Sequence, residues 1–81
     1  MRFVNIGYDN YIAVERLISV IKPESAPIRR MIQDVKAEGR VVDATFGRGM
    51  KSLLVMDNGY LVLSSLSTEK ITALTDKGTE K

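Results

Sequence analysis

Residues 41–63 read VVDATFGRGMKSLLVMDNGYLVL, and this stretch decides most of the fold. Its first six residues are mostly apolar and partly β-branched, which predicts one strand, and the run from Ser52 to Met56 predicts another. Asp57-Asn58-Gly59 is a strong turn signal, which predicts an antiparallel hairpin between that second strand and residues 60–63. Gly47-Arg48-Gly49-Met50-Lys51 is expected to join the first two strands as a loop, because its glycines permit positive φ angles.

Three further strands are predicted toward the amino terminus. Phe3 to Ile6 and Tyr11 to Val14 flank the turn-forming residues 7–10, which indicates a hairpin. Leu17 to Ile21 is a β-branched run that is too short for an independent helix and is stopped by Pro23. We therefore expect an α+β fold in which about six strands form a small antiparallel sheet.

One strong helix is predicted between the third strand and the strand that begins at Val41, over about residues 26–38. Pro27 is tolerated in a first helical turn, Gly39 supplies a stop, and four apolar residues recur at helical spacing: Ile28, Met31, Ile32 and Val35. Ser67 can cap a shorter helix over about residues 68–76. The tail beyond Gly78 is expected to fray.

Two arginines in the first turn of the longer helix require an explanation. Arg29 and Arg30 place positive charge where the helix macrodipole disfavours it, by about 0.3–1 kcal/mol each at exposed sites. Glu24 and Asp34 lie close enough in sequence to offset that cost, and an anion or a partner would also offset it. The sequence leaves these explanations open.

The chain has 81 residues, which is the length of one domain, so we expect residues 1–81 to form a single domain. It contains no cysteine and no histidine, which excludes disulfides, thiol nucleophiles and the common zinc and iron–sulfur sites. Small domains are often stabilised by disulfides, metals or association, and association is the option that remains. Several strands are apolar at nearly every position, so part of that surface is expected to meet another subunit.

No constellation of residues indicates catalysis. The carboxylates are scattered singly, and no histidine is present to activate Ser64 or Ser65. We therefore expect a protein that is not an enzyme and uses no cofactor, no metal ion and no small-molecule substrate. The chain has no apolar run of signal-peptide or membrane-span length, which predicts a cytoplasmic protein without a membrane partner.

Two cationic features remain to be explained. The net charge is only +2, so a nucleic-acid site would have to gather its cations on one face. Gly47-Arg48-Gly49 can bring its backbone close to a polyanion, with Lys51 as a nearby cation, although a solvated turn explains the same residues. Arg16 opens an apolar strand, where it either lies beside Glu15 or points toward a ligand.

The sequence from residue 16 to residue 59, RLISVIKPESAPIRRMIQDVKAEGRVVDATFGRGMKSLLVMDNG, resembles the core of the RemA family of bacterial regulators of extracellular-matrix genes. The similarity is long and ungapped, and it includes the segments PESAPI, RMIQD, DAT and GR. It implies binding of double-stranded DNA by a ring-shaped, octamer-like homo-oligomer. It also implies a subunit fold similar to the LytTR class of DNA-binding domains and an association with the nucleoid.

The resemblance further implies which residues contact DNA. The family's contacts fall on an arginine just before the Leu-Ile-Ser strand and on a basic pair after an aromatic-glycine step, which correspond to Arg16, Arg48 and position 49. Gly49 stands where the family commonly has a second arginine, and Lys51 supplies a cation nearby. We therefore predict a DNA-binding site of Arg16, Arg48 and Lys51, with Gly47 and Gly49 shaping the loop.

The resulting prediction is a DNA-binding transcriptional regulator whose ring repeats Arg16 and Arg48, brought together on one rim of each subunit, along a bent duplex. The alternative is a ring-forming structural adaptor that binds a protein partner, with those arginines paired to Glu15 or Asp43 of a neighbouring subunit. Single-stranded nucleic acid is a third candidate ligand, which needs stacking platforms. Five aromatic residues are available for stacking: Phe3, Tyr8, Tyr11, Phe46 and Tyr60.

Overall fold

A computed structural model describes residues 1–76 of the chain. Within these residues the fold is α+β, with six strands, two α-helices and one turn of 3₁₀-helix. The strands are β1 (Phe3–Asn5), β2 (Tyr11–Ala13), β3 (Leu17–Ile21), β4 (Val41–Asp43), β5 (Ser52–Met56) and β6 (Leu61–Ser64), and the helices are α1 (Ala26–Ala37) and α2 (Thr68–Thr75). The predicted fraying beyond Gly78 lies outside the described residues.

The strands divide between two sheets. β1 and β2 form an antiparallel two-stranded ribbon, which confirms the amino-terminal hairpin. The other four strands form a sheet in the order β3-β5-β6-β4. Its centre is the β5–β6 hairpin, in which Leu54 lies opposite Val62 and the turn is formed by Asp57-Asn58-Gly59, as predicted. The expectation of one sheet is therefore wrong, because the ribbon pairs only with itself.

Strand β4 departs from the predicted antiparallel pattern. It pairs parallel with β6, which separates it from β5, so residues 44–51 cross the end of β6 and do not close a hairpin. The physical reason is α1, which carries the chain across the sheet between β3 and β4 and makes both strands run in the same direction. β4 also ends at Asp43 and not at Phe46, because the φ angle of 55° at Phe46 is incompatible with a strand.

The core lies on both faces of the four-stranded sheet, because neighbouring side chains of β5 point to opposite faces. Leu53 packs with Leu61 and with Ile32 of α1 on one face. Leu54 packs on the other face with residues of the ribbon and with Ile71 of α2. Both leucines are fully buried, so the chain's own elements cover β5 on both sides without another subunit.

The edge strand β3 is covered less completely than β5. Four of its five residues are half-buried, whereas Ile18 is 64% exposed. The protomer therefore leaves part of this apolar run uncovered. Contact of this surface with another subunit stays a prediction.

Both helices begin where the sequence predicts. The Oγ atom of Ser25 accepts a hydrogen bond from the Ile28 N–H at 3.3 Å, and that of Ser67 accepts one from the Lys70 N–H at 3.1 Å. The helices end within a residue of the predicted positions. Neither described helix has the length and apolar content that crossing a membrane requires.

A buried serine joins the ribbon to the four-stranded sheet. Ser64 has no exposed surface, donates a hydrogen bond to the Ile6 carbonyl at 2.7 Å and accepts one from the Leu66 N–H at 3.1 Å. Arg2 adds a second link, because its guanidinium donates to the Leu74 carbonyl of α2 at 2.6 Å. The ribbon is therefore fixed in place by hydrogen bonds as well as by apolar packing.

Candidate nucleic-acid interface

The predicted cationic residues divide between the two ends of the four-stranded sheet. One end, termed the loop end, holds the carboxyl ends of β3, β4 and β6, the amino end of β5, and residues 44–51 with Arg48 and Lys51. Arg16 lies at the opposite end, where its carbonyl accepts from the Asp57 N–H. Arg16 and Lys51 are thus separated by the length of β5, about 20 Å at about 3.3 Å per residue.

The 44–51 loop is shaped by positive φ angles. Phe46, Gly47 and Gly49 have φ values of 55°, 79° and 85°. A Cβ atom at either glycine would meet nothing within 4 Å, so backbone conformation and not space requires glycine there. An arginine at position 49 would have room but would have to adopt this strained backbone. Arg48 is exposed between the glycines, and its N–H donates to the Thr45 carbonyl at 3.0 Å.

An exposed aromatic pair lies close to Arg48 in the chain. The rings of Tyr8 and Phe46 stack with their centroids 5.2 Å apart, which joins the β1–β2 turn to the loop. Phe46 is 77% exposed, and both residues have the positive φ that aromatic residues seldom adopt. The sequence predicts Phe46 inside a strand. Its observed place on the loop puts an apolar ring two residues from the cation.

Asp43 anchors the start of the loop. Its Oδ1 atom accepts from the Thr45 hydroxyl at 2.6 Å and from the Thr45 N–H at 2.9 Å. These hydrogen bonds, first that of the hydroxyl, lower the pKa of Asp43, and the charge of Lys36 adds to the effect while slight burial opposes it. Thr45 itself is only 3% exposed. The loop that carries Arg48 therefore begins at a buried, hydrogen-bonded corner.

We expect Asp43→Ala to destabilise the chain by about 1–3 kcal/mol, because it leaves the buried polar groups of Thr45 without their acceptor. The folded-state pKa of Asp43 is depressed, so the part of its stabilisation that depends on ionisation is complete above the unfolded pKa of about 3.9 and is lost as the pH falls through the lower folded value. Urea denaturation at pH 7 and below pH 4 measures both effects. The control is Asp34→Ala on exposed α1 surface, which should change stability by less than about 0.5 kcal/mol. Equal losses in the two variants would contradict the anchoring role.

Arg16 ends the 3₁₀ turn that leads into β3. Its Nη1 atom donates to Asp57 Oδ2 at 3.1 Å, and 61% of its side chain remains exposed. This ion pair is with Asp57 and not with Glu15, which accepts from a backbone N–H. The prediction that Arg16 and Arg48 lie together on one rim is wrong within the protomer. Antiparallel pairing puts Arg16, at the start of β3, beside the end of β5, whereas the loop with Arg48 leads into the start of β5.

Lys51 lines a cleft of about 370 Å³ at the loop end, together with Lys22 and Arg29. The Nε atom of Arg29 donates to the Pro23 carbonyl at 3.2 Å. Within residues 1–76, neither Arg29 nor the neighbouring Arg30 forms an ion pair with an acidic side chain. Direct ion pairs of Arg29 or Arg30 with Glu24 or Asp34 are therefore not formed among these residues.

The sequence model of the RemA-like family, described as extracellular matrix regulatory protein A-like, matches residues 3–73. The chain belongs to this family. A RemA-like relative from Geobacillus kaustophilus, provisionally named regulatory protein GK1166, is 44% identical over 71 residues, which are 88% of this chain and 82% of the relative. Relatives from Bacillus cytotoxicus and Bacillus mycoides carry the same kind of provisional name and are 45% identical over the same shares.

The RemA-like match extends from β1 into α2 and so contains the 44–51 loop, Arg16 and the cleft residues. The family and these relatives are named as regulatory proteins and not as enzymes. In the described part of the chain, no group of three acidic side chains is arranged to hold a metal ion. The chain is a member of the RemA-like family of regulatory proteins.

Proposed function

We propose that this RemA-like protein is a DNA-binding transcriptional regulator that acts as a ring-shaped homo-oligomer. The observation that carries the proposal is the exposed Arg48, held between two glycines and without a carboxylate within ion-pair distance among the described residues. A guanidinium in this setting can donate several hydrogen bonds to phosphate oxygens. Lys51 extends the same cationic surface toward the cleft.

The number of protomers that face the duplex decides whether so few cations per protomer can bind DNA tightly. A monomer that neutralises about two phosphates gives a slope of about −2 in a plot of log affinity against log salt concentration. An assembly that turns about four protomers toward the duplex neutralises about eight phosphates, and the slope becomes about −7. Ile18 on β3 and Phe3 and Tyr11 on the ribbon expose apolar surface that self-association would cover.

Arg16 is expected to contribute a weaker phosphate contact than Arg48. Its guanidinium is paired with Asp57, so a phosphate has to compete with that carboxylate. It also lies at the opposite end of β5 from the loop, about 20 Å away. The two arginines of one protomer therefore contact different parts of the duplex, or the assembly brings Arg16 of one subunit beside Arg48 of the next.

Contacts of this kind position a protein on DNA more than they read bases. We infer that specificity depends on DNA shape and favours the narrow minor grooves of A·T-rich sequence, which attract arginine. Phe46 adds an exposed apolar ring near Arg48, and proteins that bend DNA frequently insert such rings between base steps. Transcription would then be altered through the architecture of the duplex.

The two alternatives differ in their support. The protein-adaptor function requires Glu15 or Asp43 as partners for the arginines, and both carboxylates already accept hydrogen bonds within the chain. Binding of single strands has one observation in its favour, the stacked and exposed Tyr8–Phe46 pair. A comparison of duplex and single-stranded DNA separates that function from the one proposed.

The proposed function is tested by titrating labelled duplex and single strands of equal length at several salt concentrations. Light scattering on the same preparation gives the oligomer mass. We expect an oligomer that retains the duplex more tightly than the single strand, with a slope near −7 for the duplex. A monomer in dilute buffer, or duplex binding that does not respond to salt, would contradict the proposal. Preference for the single strand would favour the stacking function.

A further inference from the structure

The cleft at the loop end is surrounded by three cations. Lys22 reaches it from the end of β3, Arg29 from the first turn of α1, and Lys51 from the end of the 44–51 loop. Across residues 1–76, none of the three has a carboxylate oxygen within 4 Å. Like charges gathered around one cleft without close partners repel one another, and a bound anion would relieve that repulsion.

Arg29 is oriented by the backbone. Its Nε atom donates to the Pro23 carbonyl at 3.2 Å, which leaves the two terminal nitrogens of the guanidinium as donors for a ligand. The first turn of α1 contains no acidic residue, so the charge of Arg29 opposes the helix macrodipole without compensation from that turn. An anion bound to Arg29 would supply that compensation.

Two carboxylates also line the cleft and limit what it can bind. The pKa of Glu69 is lowered by its own backbone N–H, then by the Thr68 hydroxyl and by the charge of Lys22, so this part of the cleft stabilises negative charge. Glu24 lies on the cleft wall as well. Three cations against two carboxylates leave a net charge of +1, which suits one small anion better than a row of several.

We propose that the cleft of Lys22, Arg29 and Lys51 binds one phosphate group per protomer. The fork of donors on Arg29 matches the spacing of phosphate oxygens, and the two lysines contribute charge without a fixed geometry. One source of the group is the DNA backbone, in which case the inference rests on the proposed function and continues the contact of Arg48. The other source is a free phosphate monoester, which has the same recognition chemistry.

The first experiment compares the full chain with Arg29→Gln and with Arg30→Gln as the matched control. Arg30 is the next residue of α1 and lines a different surface with Ala26 and Pro27, so the control removes the same charge outside the cleft. Thermal unfolding is measured in sodium phosphate and in sodium chloride of equal ionic strength. We expect phosphate to raise the unfolding temperature of the wild type and of the control above that in chloride. Arg29→Gln should lose this difference.

The second experiment identifies the source of the phosphate by salt-dependent DNA titration of the same three proteins. If the group belongs to DNA, Arg29→Gln makes the log–log slope shallower by about 0.9 for each protomer facing the duplex, and the control does not. If Arg29→Gln loses the stabilisation by phosphate while the salt dependence of its DNA binding is unchanged, the site takes a free monoester. A wild type that binds no DNA would refute the proposed function, and the phosphate measurement would still decide on the cleft.

A gain-of-binding variant makes the test independent of the stability of Arg29→Gln. Glu69→Gln removes a negative charge from the cleft, and we expect it to tighten the binding of inorganic phosphate roughly two- to fivefold in calorimetric titration. The inference is overturned if phosphate and chloride act alike on the wild type. It is also overturned if Glu69→Gln leaves phosphate binding unchanged.

Discussion

Arg48→Ala is expected to lower the affinity for duplex DNA by roughly a thousandfold or more at 0.1 M salt. Each protomer that faces the duplex loses one phosphate contact, and each contact contributes about 0.9 to the log–log slope. With about four such protomers the slope should fall from about −7 to about −4. Salt-dependent titration measures both quantities, and the change follows from the unpaired, exposed position of this arginine.

Two further variants make this result specific. Arg30→Ala removes an equal charge from α1 away from the loop, and it should leave the affinity nearly unchanged. Arg16→Ala should have a smaller effect than Arg48→Ala, because Asp57 already occupies part of its guanidinium. Unchanged affinity in both Arg16→Ala and Arg48→Ala would refute the site assignment. Loss of the oligomer in Arg48→Ala, measured by light scattering, would favour the adaptor function.

Leu54→Ala is expected to lower the free energy of unfolding by about 2–5 kcal/mol, since it removes a fully buried side chain and leaves a cavity. A chain of this length is stable by only about 4–12 kcal/mol, so the loss is a large part of the total. The unfolding temperature should fall by about 10 °C or more. Urea and thermal denaturation of the chain without DNA measure the change.

The two faces of β5 allow an internal comparison. Leu53→Ala removes an equally buried leucine on the α1 side and should cost a similar amount. Leu74→Ala, at the partly exposed end of α2, is the control and should cost clearly less. If Leu54→Ala were no more harmful than Leu74→Ala, the assignment of β5 as the centre of the core would be wrong.

Local signals allowed most elements of this fold to be predicted. The Asn58-Gly59 turn, the cap Ser67 and the β-branched run of β3 each depend on a few neighbouring residues, and the structure confirms them. The order of the strands depends on contacts between distant segments. Nothing near β4 in the sequence indicates that it pairs with β6, which follows it by almost twenty residues, and not with β5.

In the candidate site, too, local features could be predicted from the sequence and contacts between distant segments could not. The loop with Arg48 was predicted from its two glycines and from the family resemblance, because both signals are contiguous in the chain. The Tyr8–Phe46 stack joins residues from different turns, and the cleft joins the ends of β3, α1 and the loop. Such sites arise only when the chain is folded, so the sequence shows the unfavourable charge of Arg29 but does not indicate that Lys22 lies beside the same cleft.

The Ser64 bond to the Ile6 carbonyl makes the amino-terminal ribbon an integral support of the loop and not a detachable arm. Two residues beyond that bond, Tyr8 contacts Phe46. A substitution inside the ribbon can therefore shift the 44–51 loop although it lies far from Arg48 in the sequence. The position of Arg48 therefore depends on packing at the amino terminus as well as on the loop's own glycines.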